Sequence, residues 1–565
     1  MRARQLIVLV LYAPLALTGL RWGLPTAERV ALWLGSPLPA ELPEHAYLAL
    51  HSMHPDEHKI LEPLANMDPA RLDFNPRHFD HPTFHIYLVG TVLACARLTG
   101  LVEVSESQRF YLENPDMMSR VYLTGRLVTV LFGAGLLLVV AALGGRIAGR
   151  SGTWIAPLCL LASAPFVVHC HYLTTDLPLT FWMTLSALLS VRSDGRRAVY
   201  WSAAAAGLAA GTKYYGILAL VFPVYRVVSD RGSFRRPARI SAGVAGIAVA
   251  VFVLTSPYVV LAPRDFKTTG YDVWREVFRG GDDPAEVYLY TKDTGLGWVQ
   301  YAGRVIPGSM GLPLFIAAVI GIAVAIVRRA PHSRVLLLGT LPYFLLIGSM
   351  PFHLVKHSLP LLPFLSIGTA ALPLLFQGGR RVVPAVLLAL CIALGMAHVL
   401  NHVWVLRTED TRLTAAGWLA RNVPVSMPIA RPWEPSSLGI PLDDRARHVV
   451  TFCPIMQGLQ PQRLSPGPEP VFAMTEFEYR QYVRLRTAYP QESTFFAGLL
   501  AGTPPGLQGR YAVLRFRARG LLPFPALRPA FAPHDWIFYS PLVVVTVPLD
   551  AEAVPHDHGG STNVG

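Results

Sequence analysis

Two acids stand side by side at Asp56-Glu57, inside a polar run from His54 to Tyr87 in an otherwise greasy chain. The run reads His-Pro-Asp-Glu-His-Lys, then Asn75-Pro-Arg-His-Phe-Asp-His-Pro-Thr-Phe-His-Ile-Tyr87. A carboxylate here could take the proton from an attacking hydroxyl. Lys59, His81 and His85 in the same run, and Lys213, Lys356 and His357 further on, are residue types that can hold a group on which negative charge collects. Asp176 interrupts another apolar stretch. Ionisable groups held against a membrane are costly, so such positions are site hypotheses by default. The bland alternatives are a solvated loop for Asp56-Glu57 and a helix start for Asp176-Leu-Pro178.

The elements that must position these groups follow from composition. At 52% hydrophobic and 15% charged, with mean hydropathy +0.39, the chain reads as an α-helical polytopic membrane protein. The net charge of +13 does not indicate nucleic acid, because the basic residues fall in short clusters between apolar segments. The five cysteines are scattered and frame neither a disulfide scaffold nor a metal site. Residues 5–22 form the first span, with Arg2 and Arg4 holding its start in the cytoplasm. The first outer loop is then 23–120, and within it 83–100 is expected to lie in the interface rather than cross. That choice puts the basic loops 144–152, 192–198, 226–239, 328–334 and 377–381 all inside. The stretch 199–228 is expected to fold as a short hairpin, with Lys213 at the outer surface instead of mid-bilayer. Further spans are predicted near 121–143, 153–171, 177–191, 240–261, 304–327, 335–350, 357–376 and 382–400, giving about eleven crossings. The membrane domain is thus 1–402. Residues 403–565, with strand-like runs His448–Phe452, Pro470–Met474, Tyr511–Phe516 and Leu542–Val547, are expected to form an extracytoplasmic α/β domain ending in a frayed tail from Pro555.

The order of these parts resembles the polyprenyl-phosphate-dependent glycosyltransferases of the protein-mannosyltransferase and aminoarabinose-transferase type, within the GT-C class. The residues that carry the resemblance are Asp56-Glu57 and the Asn75–Pro82 run, followed by Tyr172-Leu-Thr-Thr-Asp176-Leu-Pro-Leu-Thr. Gly207-Leu-Ala-Ala-Gly-Thr-Lys213-Tyr-Tyr and Lys356-His357-Ser-Leu-Pro-Leu-Leu-Pro363 complete the set. The resemblance implies Asp56 as the catalytic acid of the first outer loop, with Glu57 beside it and Asp176 as the acid of the second. It implies Lys59, His81, His85, Lys213, Lys356 and His357 around the carrier phosphate. Lys356-His357 departs from the Arg-Tyr that many relatives carry there.

The implied function is transfer of a sugar from a polyprenyl-phosphate carrier to an acceptor on the outer face of an inner (plasma) membrane, with inversion. The acceptor, whether glycan, lipid or protein, stays open, as does the sugar. Metal stays open too. His51/54/58 and His78/81/85 have helical spacing, which Pro55 and Pro82 argue against as a zinc site, and a divalent cation at the paired acids is the other option. The rival readings are a lipid-linked-sugar transporter or flippase, and an O-antigen ligase or polymerase. A transporter would place its ionisable groups mid-span in repeated halves.

Overall fold

Glycine and proline decide where the apolar segments turn. The computed structural model describes residues 2–564 apart from 193–194, 230–236, 280–294, 376–381, 456, 465–468, 508, 522–533, 537, 540 and 550–562. The N-terminal helix Arg2–Leu17 packs on a long apolar element, Pro115–Leu161, where the Tyr12 hydroxyl donates to the Val130 carbonyl at 2.7 Å. Gly149, at φ 70° and ψ −155°, breaks that element into two arms that fold back on each other. A Cβ at Gly144 would lie 2.7 Å from the carbonyl oxygen of Gly152, a contact no straight helix allows between residues eight apart. The predicted segments 121–143 and 153–171 are these two arms, although the second ends at Leu161 and a separate short helix, Ala164–His169, follows.

The helix Phe84–Leu98 has 15 residues. At 1.5 Å per residue that is roughly 22 Å, short of a hydrocarbon core of about 30 Å. The helix Gly195–Thr212 ends one residue before Lys213, which is extended at φ −154° and ψ 135°. The chain then reverses through Tyr214–Leu220 into Val221–Ser229. The return is so close that a Cβ on Gly216 would meet the Ala209 carbonyl oxygen at 2.2 Å.

Two expected spans are less regular than the sequence indicates. The stretch 304–327 is a bent pair, Gly297–Met310 and Leu312–Val327, which meet at 112°. Gly311 at φ 83°, followed by Pro313, which lacks an N–H, breaks the run between them. The stretch 357–376 opens as a 3-10 turn, Lys356–Leu361, continues as Leu362–Ala371 and closes as a second 3-10 turn, Leu372–Leu375. Among the described residues, four helical stretches are long and apolar enough to cross a membrane, or five if the bent pair is one span.

The helix Val382–Arg407 runs past the expected boundary at 402, and Thr411–Asn422 follows it. Beyond it lies a mixed six-stranded sheet of β1 (Ile429–Arg431), β2 (Val449–Thr451), β3 (Val471–Thr475), β4 (Tyr511–Phe516), β5 (Val543–Pro548) and β6 (Asn563–Val564). The order is β2-β1-β3-β5-β4-β6. β1 lies parallel to β2 and β3, whereas β5 runs antiparallel to β3 and β4. The four strand-like runs read from sequence are β2 to β5; β1, three residues between Pro428 and Pro432, was not read. The helices Glu476–Arg484 and Pro490–Ala501 lie between β3 and β4 in the chain. Most of the predicted frayed tail and residues 230–236 of an expected inner loop lie outside the described residues.

This part is anchored on the segment just before Asp56. The fully buried Arg412 pairs with Asp410 and donates to the carbonyls of Met53 and Phe538.

Candidate active site

Each element delivers its polar residue at a break rather than mid-helix. Asp56 and Lys59 flank the start of His58–Ala65, Asp176 opens Asp176–Ser190, Lys213 sits in the reversal, and Lys356 begins the 3-10 turn. These breaks converge on one cavity of about 320 Å³. Asp56, Lys59, His81, Asp176, Lys213, Lys356 and His357, all singled out from the sequence, line it.

Two carboxylate–ammonium pairs organise the cavity. Asp56 Oδ2 accepts from Lys356 Nζ at 2.5 Å, across 300 residues of sequence, and Lys59 Nζ lies 3.7 Å from Oδ1. Asp176 Oδ1 accepts from Lys213 Nζ at 2.7 Å. Burial pushes the Asp56 carboxyl up, but the ammonium groups of Lys356 and Lys59 outweigh it and hold the acid well below its ordinary range. Asp56 is therefore ionised at neutral pH. Its backbone N–H donates to His54 Nδ1 at 3.2 Å, so His54 is neutral and carries its proton on Nε2. Burial lowers His54 to about 4 despite the nearby Asp56 and Glu57. His81 is lowered to about 3 by burial and by Lys213 and Lys59, so it too is neutral.

Glu57 and His85 do not line the cavity. Glu57 is fully buried, with Arg126 Nε and Nη2 on its two oxygens at 2.8 and 2.6 Å and the Leu173 N–H on Oε1 at 2.7 Å. Arg126 also donates to the carbonyls of Leu20 and Trp22 at 2.6 and 2.8 Å. With three donors on its two oxygens and no exposed surface, Glu57 ties the acid loop to the Pro115–Leu161 helix and stands apart from any substrate in the cavity. His85 is buried in Phe84–Leu98 against Phe132. Asp176 is the first helical residue, and Thr175 holds the N-cap position. The Asp176 carboxylate is thus committed to Lys213, not to capping its helix.

Sequence reasoning missed Asp80, Thr174, Tyr214 and Tyr215, which also line the cavity. Asp80 adjoins His81, and Thr174 lies two residues before Asp176, so proximity to a chosen residue was the available signal. The Tyr214 hydroxyl donates to the Phe79 carbonyl at 2.8 Å, which locks the Lys213 turn onto the Asp80-His81 segment. Lys213 Nζ lies 5.2 Å from the Tyr215 ring centre. His81 Nδ1 and Thr174 Oγ1 are buried and have no hydrogen-bond partner among the described residues.

The histidines do not assemble a metal centre. His51 and His58 stack with ring centres 4.7 Å apart, and among the described residues no three His, Cys, Asp or Glu side chains converge. Both oxygens of Asp56 face lysine ammonium groups, so the acid pair does not fit a divalent cation either.

Residues 75–230 match the family described as dolichyl-phosphate-mannose-protein mannosyltransferase. His81, Asp176 and Lys213 fall inside that segment; Asp56 and Lys356 fall outside it. The segment that delivers these three residues is thus similar to a glycosyltransferase family, and the match spans less than half of the chain. Comparison with curated proteins finds no significant match. Among solved structures, ArnT from Cupriavidus metallidurans bound to undecaprenyl phosphate is 14% identical, with 96% of this chain and 97% of that one covered and a TM-score of 0.44. The oligosaccharyltransferase AglB from Archaeoglobus fulgidus is 11% identical, covering 90% and 73%, at 0.45. The Pmt1-Pmt2 complex of S. cerevisiae is 14% identical, covering 52% and 38%, at 0.29. These scores are too low to carry residue correspondences.

Proposed function

We propose that this glycosyltransferase moves a sugar from a polyprenyl-phosphate carrier to an acceptor hydroxyl at the outer face of the inner membrane, with inversion. The observation that supports it is the pairing of Asp56 with Lys356 and of Asp176 with Lys213 around one cavity. A base and two cations are what this transfer requires. The acceptor oxygen attacks the anomeric carbon and passes its proton to Asp56. The bond from that carbon to the phosphate oxygen breaks, and its electron pair stays on the departing polyprenyl phosphate. Lys356 and Lys213 hold the charge that collects there. No strong general acid is needed, because phosphate is already a good leaving group. Attack opposite the phosphate inverts the anomeric centre.

The incoming phosphate competes with Asp56 and Asp176 for the same ammonium groups. Drawing Lys356 off Asp56 frees an oxygen for the acceptor hydroxyl. His81 Nδ1 and Thr174 Oγ1, without a hydrogen-bond partner among the described residues, would bond the sugar or phosphate. The basic loops on the opposite side of the spans support the outer-face assignment, with the first outer loop 23–120 interfacial at 83–100, about eleven crossings, and an extracytoplasmic domain from 403. Because the ionisable groups share one cavity instead of repeating in two halves, the transporter alternative has no support.

The test is binding of polyprenyl phosphate to the purified full-length chain, together with release of that carrier from polyprenyl-phosphate mannose in the presence of envelope extract. Lys356→Met and Lys213→Met should each weaken carrier binding at least about tenfold, and Lys→Arg should restore it partly, because a planar fork places its charge differently. Unchanged binding and release in the double methionine variant would refute the site. Mass spectrometry of envelope glycans from a deletion strain would identify the acceptor.

A further inference from the structure

A segment far from the cavity in sequence, around residues 535–539, braces both halves of the Asp56–Lys356 pair. Asp535 is buried and accepts from two consecutive backbone N–H groups, Val355 to Oδ1 at 2.9 Å and Lys356 to Oδ2 at 2.8 Å. No local side chain caps that 3-10 turn. Its first N–H groups would otherwise be buried orphans, so a carboxylate from elsewhere caps them. Three residues on, the Phe538 ring meets the His54 ring edge-on at 5.1 Å, and His54 is the residue whose Nδ1 fixes the Asp56 backbone. Arg412 Nη2 holds the Phe538 carbonyl at 3.0 Å. Tyr539 bonds His402, and Trp536 packs on the same ring with centres 5.2 Å apart, securing the segment to the Val382–Arg407 helix.

We infer that Asp535 is a positioning residue for transfer: it sets where Lys356 emerges into the cavity, and its segment sets the base loop opposite. The C-terminal part thereby completes the active site and is not an independent appendage. The inference rests on the reading that Lys356 holds the carrier phosphate.

Geometry explains why the carboxylate is specific. Two N–H donors point at two acceptor oxygens. An amide at that position presents one acceptor and one donor, and the donor opposes an N–H. Protonation does the same. Burial raises the Asp535 carboxyl to about 6, against the opposing pull of the Lys356 and Val355 N–H groups. The charged or titratable groups facing it are Lys356, Asp56 and Tyr301. Above that value Asp535 is ionised and accepts both bonds; below it one oxygen becomes a donor and the cap fails.

The experiment measures polyprenyl phosphate affinity of the full-length chain in detergent for wild type, Asp535→Asn and Lys356→Met. Asp535→Asn should bind about tenfold more weakly near pH 7.5, with the ratio to wild type falling towards one near pH 5. The ligand's own titration cancels in that ratio, and loss of stability alone would not produce its pH dependence. Asp535→Glu, which keeps the anion and shifts it by one methylene, should fall between them; it replaces the amide variant if that does not fold. Weak binding by Lys356→Met with a pH-independent ratio of one for Asp535→Asn would overturn the positioning role alone. Normal binding by Lys356→Met would overturn the phosphate reading beneath it.

Discussion

Asp56 and Glu57 are adjacent acids whose replacement should fail in different ways. Asp56→Asn keeps the shape and one acceptor oxygen but cannot take a proton. Turnover should fall roughly 10²–10⁴-fold, a rise in the barrier of about 2.7–5.4 kcal/mol. The unfolding midpoint should move little, because Asp56 is part-exposed and its lysines can reach water. Glu57→Gln acts on a fully buried pair. The new amide must aim a donor at Arg126 or at the Leu173 N–H, and Arg126 loses its only counter-charge among the described residues. Breaking a buried pair from one side costs about 3–5 kcal/mol. The folded fraction should nevertheless retain most of its turnover, since Glu57 does not line the cavity. Both quantities can be read from one preparation: transfer at saturating lipid-linked donor, and the midpoint of SDS-induced unfolding in dodecylmaltoside micelles. The pH dependence of the pair has a definite sign. Both acids are held below their ordinary values in the fold, so the stabilisation each contributes, small at part-exposed Asp56 because solvent screens its pairs and larger at buried Glu57, is present above the unfolded carboxylate pKa and lost as pH falls through the folded one. A Glu57→Gln protein that is stable but inactive, beside an Asp56→Asn protein that is active but fragile, would refute the assignment.

Two further outcomes test the scaffold. In a Cys95→Ser background, since Cys95 is the exposed native thiol among the described residues, cysteines at Ala70 and Arg445 should react with an impermeant thiol reagent from outside. Cysteines at Arg150 and Arg328 should not; labelling there would invert the proposed topology. Gly216→Ala should abolish carrier binding without touching a charged residue, because its Cβ would meet the Ala209 carbonyl and open the reversal that presents Lys213. Wild-type affinity in that variant would show that the turn does not position the lysine.

The apolar segments, the turn at Lys213 and the residue types that line the cavity were legible because each leaves a local mark. Apolar runs show in composition, a lysine in an apolar run must find an edge, and the acids and lysines stand out against their surroundings. The strands β2 to β5 were legible as short apolar runs between turn residues, while β1 was too short to register. Tertiary structure decided the rest. Neighbouring residues can look alike in sequence, yet Asp56 faces Lys356 in a cavity and Glu57 is consumed by Arg126, because two adjacent side chains leave the backbone in different directions. Pairing between Lys356 and Asp56 spans 300 residues, and no spacing rule reaches across that distance. Asp535 carries no motif at all. Its place under the lysine depends on where the sheet and the Val382–Arg407 helix bring residues 535–539, and a contact made by backbone N–H groups leaves no trace in side-chain identity. What the sequence determined was which groups are available for chemistry; which of them share a cavity, and which are spent holding it together, was set by packing between segments remote in the chain.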